Sequence, residues 1–287
     1  QPGKKQEWGA DFELNNNNTT AYSSSIGIFT NVFYRNKNIF KGAETFEVSV
    51  QGGIDFKVTG YDSTAKNNFI AQAVNLLDIN LETSFYIPRF LGLNFIEKLF
   101  KMENPKTKVS LGYQFLQQSS DFQISSFYTK IGYNWNKGPE HAFMWNPVLV
   151  NLTLEPVLDL DFASLLRTNN ITLYESLRAS YLIPSMDFSY TYATPENKTK
   201  GGTWFFKSYF ELSGNLAYLL DKATDPNNDL QFFGVDYAQY FRTDIDLRYA
   251  YKLHKRHSIV SRLMLGILIP YGNSEGTDVP FIKRFTL

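Results

Sequence analysis

Side chains able to do bond chemistry are few and scattered. The 287-residue chain has three histidines, His141, His254 and His257, and no cysteine. Without cysteine there is no disulfide framework, thiolate nucleophile or thiolate metal site. A hydrolase built on a strand or rim would need a histidine beside a serine or an acid. His141 follows the Gly138-Pro139 turn, while His254 and His257 flank Lys255-Arg256 in another. None has such partners at strand spacing, so the chain is not expected to be an enzyme. No acid or histidine cluster has metal-ligand spacing, and no cofactor is expected. Lys252, His254, Lys255, Arg256 and His257 form a basic turn, read first as a solvated surface. Contact with a periplasmic partner or anionic headgroups is the sharper reading.

The remaining chemical signal is charge inside alternating segments. From Tyr240 to Tyr251, Arg242, Asp244, Asp246 and Arg248 share one face, and Phe241, Ile245, Leu247, Tyr249 and Tyr251 the other. From Ser258 to Ile269, Arg262 and Gly266 oppose Ile259, Leu263, Leu265, Ile267 and Ile269. Period-two alternation places these on opposite faces of β-strands. Asp78 and Glu82 repeat the arrangement earlier.

The elements that must position these charges are strands throughout. Glu7 to Leu14 alternates, with Trp8, Ala10, Phe12 and Leu14 against Gly9, Asp11 and Glu13. Asn15 to Thr20 reads as a polar turn. Further alternating runs cover about 21–35, 46–58, 77–87, 109–115, 127–135, 148–154, 186–192 and 206–216. With the two above, the count is about eleven strands of about ten residues, a length that crosses a bilayer when tilted. Asp161 to Arg167 and Leu91 to Met102 have helical spacing, the latter as a packed turn or plug. Residues 223–236 read as a polar loop.

Composition narrows the class. Lys plus Arg and Asp plus Glu both number 28, giving no net charge to favour nucleic acid. No apolar run reaches the roughly 20 residues of a membrane helix. Phe (25) and Tyr (18) are abundant, and Trp8, Tyr34, Phe85, Trp135, Tyr192 and Tyr251 fall near strand ends, as aromatic girdles do. Charges deep within strands suit a water-filled lumen better than a closed apolar core. Long loops at 156–177 and 223–236 alternate with short turns. The expectation is an all-β transmembrane, antiparallel up-and-down β-barrel in the bacterial outer membrane, with the lipid bilayer as its surroundings.

Single-chain bacterial barrels have even strand numbers. About eleven strands, with Thr286-Leu287 reached inside a loop, predict that residues 1–287 are the N-terminal part of one barrel domain in a longer polypeptide.

Two segments carry a family resemblance. Asn36-Lys37-Asn38-Ile39-Phe40-Lys41-Gly42-Ala43-Glu44 resembles the N-x-N-L-F-x-G-x-E turn of the BamA/TamA outer-membrane assembly superfamily. Ile269-Pro270-Tyr271-Gly272-Asn273-Ser274, followed by Val279-Pro280-Phe281-Ile282-Lys283-Arg284-Phe285, resembles the approach to that family's long lumen loop. Phe85 to Leu91 and Ile183 to Tyr192 are similar to the TamL-type branch. The resemblance implies a barrel of about sixteen strands preceded by POTRA domains, with those domains and the last strands absent from this sequence. It implies an assembly or insertion factor for nascent outer-membrane proteins, with periplasmic or lipoprotein accessory subunits. Glu7, Trp8, Gly9, Ala10, Asp11, Phe12, Glu13 and Leu14 would then form the lateral-gate strand. Gly272, Asn273, Phe281, Lys283, Arg284 and Phe285 would lie in the lumen loop. Arg242, Asp244, Asp246, Arg248 and Arg262 are read as lumen charges forming structural ion networks; in the resembled family an arginine at the loop tip, which this sequence lacks, packs against acidic or aromatic wall residues, and Asp244 and Asp246 could serve there. A passive porin or solute channel, or a surface-binding barrel, is the competing reading.

Overall fold

Residues that alternate between β-branched or aromatic and polar types favour a pleated ladder, and the chain is dominated by one. The computed structural model describes residues 5–20, 23–57, 74–93, 102–119, 121–178, 180–195, 202–224, 231–232, 235–254, 257–274, 279–280 and 283. The strands are β1 (Gln6–Thr20), β2 (Ser23–Lys37), β3 (Thr45–Lys57), β4 (Val74–Ile87), β5 (Glu103–Gln118), β6 (Phe122–Lys137) and β7 (His141–Thr153). Then come β8 (Val157–Leu158), helices α1 (Leu160–Asn169) and α2 (Ile171–Arg178), β9 (Tyr181–Ala193) and β10 (Thr203–Ser213). Helix α3 (Asn215–Thr224), β11 (Gln231–Phe232), β12 (Val235–Asp236), β13 (Tyr240–His254) and β14 (His257–Pro270) complete the order.

Twelve strands join one antiparallel sheet in the order β1-β2-β3-β4-β5-β6-β7-β9-β10-β13-β14, with β8 off this path on β6. The eleven strands of the path match the eleven alternating segments. Among the described residues no helix is long and apolar enough to cross a membrane.

Two compact units divide the chain. The first is Gln1–Phe85, Ser110–Thr129 and Asn151–Tyr181; the second is Tyr86–Val109, Lys130–Val150 and Leu182–Leu287. In the first unit, β1 pairs β2 from Gln6↔Asn36 to Thr20↔Ser23. The Asn15 to Thr20 segment is therefore strand, not turn. Pairing with Gly27, Ile26, Ser25 and Ser24 outweighs the weak strand preference of asparagine. The turn between β2 and β3 explains its own sequence. Asn38, Lys41 and Ala43 all have positive φ. The Asn38 side chain accepts from the Ala43 N–H at 3.0 Å, and the Glu44 carboxylate from the Gly42 N–H at 2.9 Å. Short polar side chains that bond the local backbone stabilise such left-handed residues. Helix α1 begins where Asp159 caps the N–H groups of Asp161 and Phe162, as the helical spacing there predicts. The Leu91 to Met102 segment lies largely outside the described residues.

In the second unit, β10 pairs β9 and β13 without a register shift, and β13 pairs β14 from Tyr240↔Pro270 to His254↔His257. Gly214 ends β10. It has φ +79°, and a Cβ there would sit 2.6 Å from the Ala238 carbonyl oxygen. The chain then turns into α3, so Leu216 is helical rather than the last residue of a strand, and part of the 223–236 stretch is helix and short strand.

The faces of this unit are inverted relative to a water-soluble sheet. Met186, Trp204, Phe210, Leu212 and Ile245 are exposed, whereas Ser185, Asp187, Ser189, Glu211, Ser213 and Asp246 are buried. Buried polar groups and exposed large apolar ones are the informative departures from ordinary burial. Replacing Gly214 with alanine should therefore destabilise the second unit by about 1–3 kcal/mol, from an unfavourable φ and a backbone clash. The measurement is a denaturant midpoint with unchanged m-value; an unaltered midpoint would show that this corner is not held as described.

Candidate functional site

Register builds the site on the polar face of the second unit. Glu211 on β10 lies opposite Asp187 on β9 and Arg242 on β13, and Tyr209 lies opposite Ser189 and Asp244. The Glu211 side chain is fully shut from water. Its Oε1 accepts from Tyr240 Oη at 2.9 Å and Lys283 Nζ at 2.7 Å, and its Oε2 from Tyr209 Oη at 3.1 Å. Asp187 accepts from Asn146 Nδ2 at 2.6 Å. A carboxylate buried without partners is unstable by several kcal/mol; these donors and one cation offset that penalty.

The chain after β14 reaches this acid along a stapled path. Gly272 has φ +56°, and a Cβ would meet Gln239 Oε1 at 2.4 Å. That same oxygen accepts from the Asn273 N–H at 2.7 Å, while Asn273 Nδ2 donates to the Tyr237 carbonyl at 2.7 Å. Ser274 Oγ accepts from the Gln239 N–H at 3.0 Å. Tyr271 Oη donates to Asn215 at 2.8 Å; burial raises the phenol above its ordinary range, the Asn215 bond opposing it. Val279 and Pro280 are buried. The Lys283 N–H donates to the Pro280 carbonyl at 2.9 Å, and the Lys283 carbonyl accepts from Arg242 Nη1 at 3.1 Å. Lys283 thus lies against the polar face. Phe281, Arg284 and Phe285 lie outside the described residues.

The five strand charges form pairs within the sheet. Asp246 takes Arg248 from its own strand and Arg262 from β14, with Arg262 Nη2 at 2.9 Å. Asp244 lies 3.5 Å from Arg242. Asp246 is thus held by two arginines of the sheet, while the acid that receives the C-terminal segment is Glu211. A single glutamate within Lys207-x-Tyr209-x-Glu211-x-Ser213 was the available signal.

In the first unit, β1 carries its charges against β2. Glu7 pairs with Lys37 at 2.7 Å and Arg35 at 3.7 Å. The Trp8 and Tyr34 rings are 4.5 Å apart. Gly9 leaves room for the Phe33 ring, which a Cβ would meet at 2.3 Å. Ala10 pairs Val32, and Asp11 accepts from Asn31 at 3.4 Å. Glu13 pairs Phe29 in register and is exposed, as are Phe12 (79%) and Leu14 (78%). Asp11, Glu13, Asn31, Gln51, Gly53 and Asp78 help line an open trough of about 420 Å³.

His141 begins β7, where its Nδ1 lies 2.8 Å from Tyr190 Oη. Its ring continues a band of aromatics in the second unit, with Trp135–Phe143 at 5.3 Å, Phe143–Tyr190 at 5.1 Å and Trp204–Tyr249 at 4.3 Å. Among the described residues no group of three or more His, Cys, Asp or Glu could hold a metal ion. The sequence matches no protein-family model and no curated protein.

The ion pair gives a direct test. Lys283→Ala should destabilise the second unit by about 3–5 kcal/mol, because Glu211 would remain buried without its cation. Lys283→Ala combined with Glu211→Gln should recover part of that loss, because the buried side chain left behind is then neutral. Denaturant unfolding of the four members of the cycle measures the coupling; additive effects would mean that the two side chains do not act as a pair.

Proposed function

We propose that this chain belongs to an outer-membrane β-barrel that assembles other outer-membrane proteins, with β1 as the strand where a client strand is templated. The observation that carries this reading is the inverted sheet. Phe210, Leu212, Met186 and Ile245 are exposed on one face, and a hydrogen-bonded carboxylate network with a docked C-terminal segment occupies the other. Acyl chains would satisfy the first face and a water-filled interior the second. The aromatic band through Trp135, Phe143 and Tyr190 suits a headgroup boundary.

Assembly is favoured over passive conduction by the position of β1. It begins the sheet order and pairs with β2 along its length. An edge strand offers backbone N–H and C=O groups to an incoming strand, the physics of β-augmentation. Clients would be nascent outer-membrane strands, and the periplasmic side would receive accessory subunits. The segment from Gly272 to Lys283 would be the start of a loop held inside the barrel, and no bond chemistry is required of the machine.

The test uses the absence of native cysteine. With a client arrested during assembly and carrying cysteine in its terminal strand, Ala10→Cys should form a disulfide. Val50→Cys, on the interior strand β3, should not. Depletion of the protein should lower the levels of unrelated outer-membrane barrels. Normal barrel levels, together with large stable conductance in planar bilayers, would replace assembly with a channel function.

A further inference from the structure

Helix α3 is built inside out. Ala217 and Asp221, one helical turn apart, are buried, while Leu216, Tyr218, Leu219 (65% exposed) and Leu220 face outward. A helix packed in water turns its leucines to the protein and its polar residues to the solvent; α3 does the reverse. Its protein side holds a small residue, Ala217, and an acid: Asp221 lies near Tyr237, whose phenol is pushed up to about 12 by burial and then by the Asp221 charge.

The arrangement is fixed. Gly214 sets the corner, the Tyr218 N–H donates to the Gly214 carbonyl at 2.9 Å, and Asn215 is held by Tyr271. The leucines therefore cannot turn inward without breaking the contacts that also start the docked C-terminal segment. The outward side of α3 is continuous with the exposed apolar face of the strands. Leu216 shares an apolar groove of about 200 Å³ with Pro147, Val148, Pro184, Met186 and Leu212. Two of its walls are prolines, and the rest are mainly aliphatic, so it offers few hydrogen-bonding side chains.

We infer that α3 lies in the boundary of a phospholipid bilayer, with Leu216, Leu219 and Leu220 inserted among acyl chains and the groove beside Leu216 filled by a chain. This rests on the membrane reading above and extends it from the strands to a connecting helix. The continuity of the helix with the outward face of β7, β9 and β10 selects lipid over a protein partner, since the same medium then covers both surfaces. Short amphipathic helices at a headgroup boundary bind through such a stripe.

The experiment is site-directed spin labelling, for which the cysteine-free chain needs no background removal. Leu216→Cys, Leu219→Cys and Leu220→Cys are labelled in the protein reconstituted in phosphatidylethanolamine–phosphatidylglycerol vesicles. Ile245→Cys serves as the wall position and Lys137→Cys as the aqueous one. Collision with oxygen and with a water-soluble nickel chelate reports the surroundings. The oxygen-to-nickel ratio at the three helix positions should exceed that at Lys137→Cys several-fold and lie at or below that of Ile245→Cys. High nickel access on the helix with a lipid-like value at Ile245→Cys would overturn the inference while leaving the membrane reading intact. Low access to both reagents would mean protein covers the helix, and would overturn it too. An aqueous value at Ile245→Cys would overturn the membrane reading and this inference together.

Discussion

Leucines facing outward and carboxylates shut away cannot both be favourable in water. An exposed Leu, Ile or Phe forfeits about 1.5–3 kcal/mol relative to burial, and an unpaired buried ion costs several more. The second unit accepts both, with Phe210 and Ile245 exposed and Glu211 and Asp187 buried. Under the membrane reading proposed above, its sheet would meet a surrounding less polar than water on one side, and on the other its carboxylates take donors from Tyr209, Tyr240, Lys283 and Asn146. The small serines at 185, 189 and 213 are buried on the same face as Glu211. The ring-to-ring aromatic band suits the less polar side, since Tyr and Trp present both an apolar body and a polar tip.

The same constraint makes the strands legible. Each of the eleven alternating segments became a strand of the path because alternation records directly which side of the sheet meets which medium. Element ends were less legible. The asparagines of β1 have turn-like composition yet continue the ladder, because β2 supplies partners as far as Ser23. Leu216 continues the period of β10 yet belongs to a helix, because Gly214 adopts a backbone that ends the strand. Local composition cannot report either a distant partner or a left-handed φ.

The charged face of β13 and β14 was likewise readable, and Asp246 with Arg248 and Arg262 is its product. Glu211 was not singled out. Its role arises from two registers and a residue 72 positions later in the chain, none of which leaves a local pattern. The turn motif around Asn38 is the opposite case. Asn38, Gly42 and Glu44 act on one another within a few residues, so their chemistry is visible in the sequence and their hydrogen bonds in the structure.

The pair of Lys283 and Glu211 is better understood as a positioning device than as a source of stability. A buried ion pair seldom outperforms apolar residues of the same size, but it penalises every arrangement that leaves one charge alone. The staples at Gln239, Tyr237 and Asn215 act near β14 and fix the direction of departure. Farther along, Val279 and Pro280 are buried, and small shifts of the chain would also separate Lys283 from Glu211 and the Lys283 carbonyl from Arg242. Directional bonds near the strand set the path, and one charge at a distance sets the register. Together they place Lys283 on the polar face, where its charge has a partner and its carbonyl a donor.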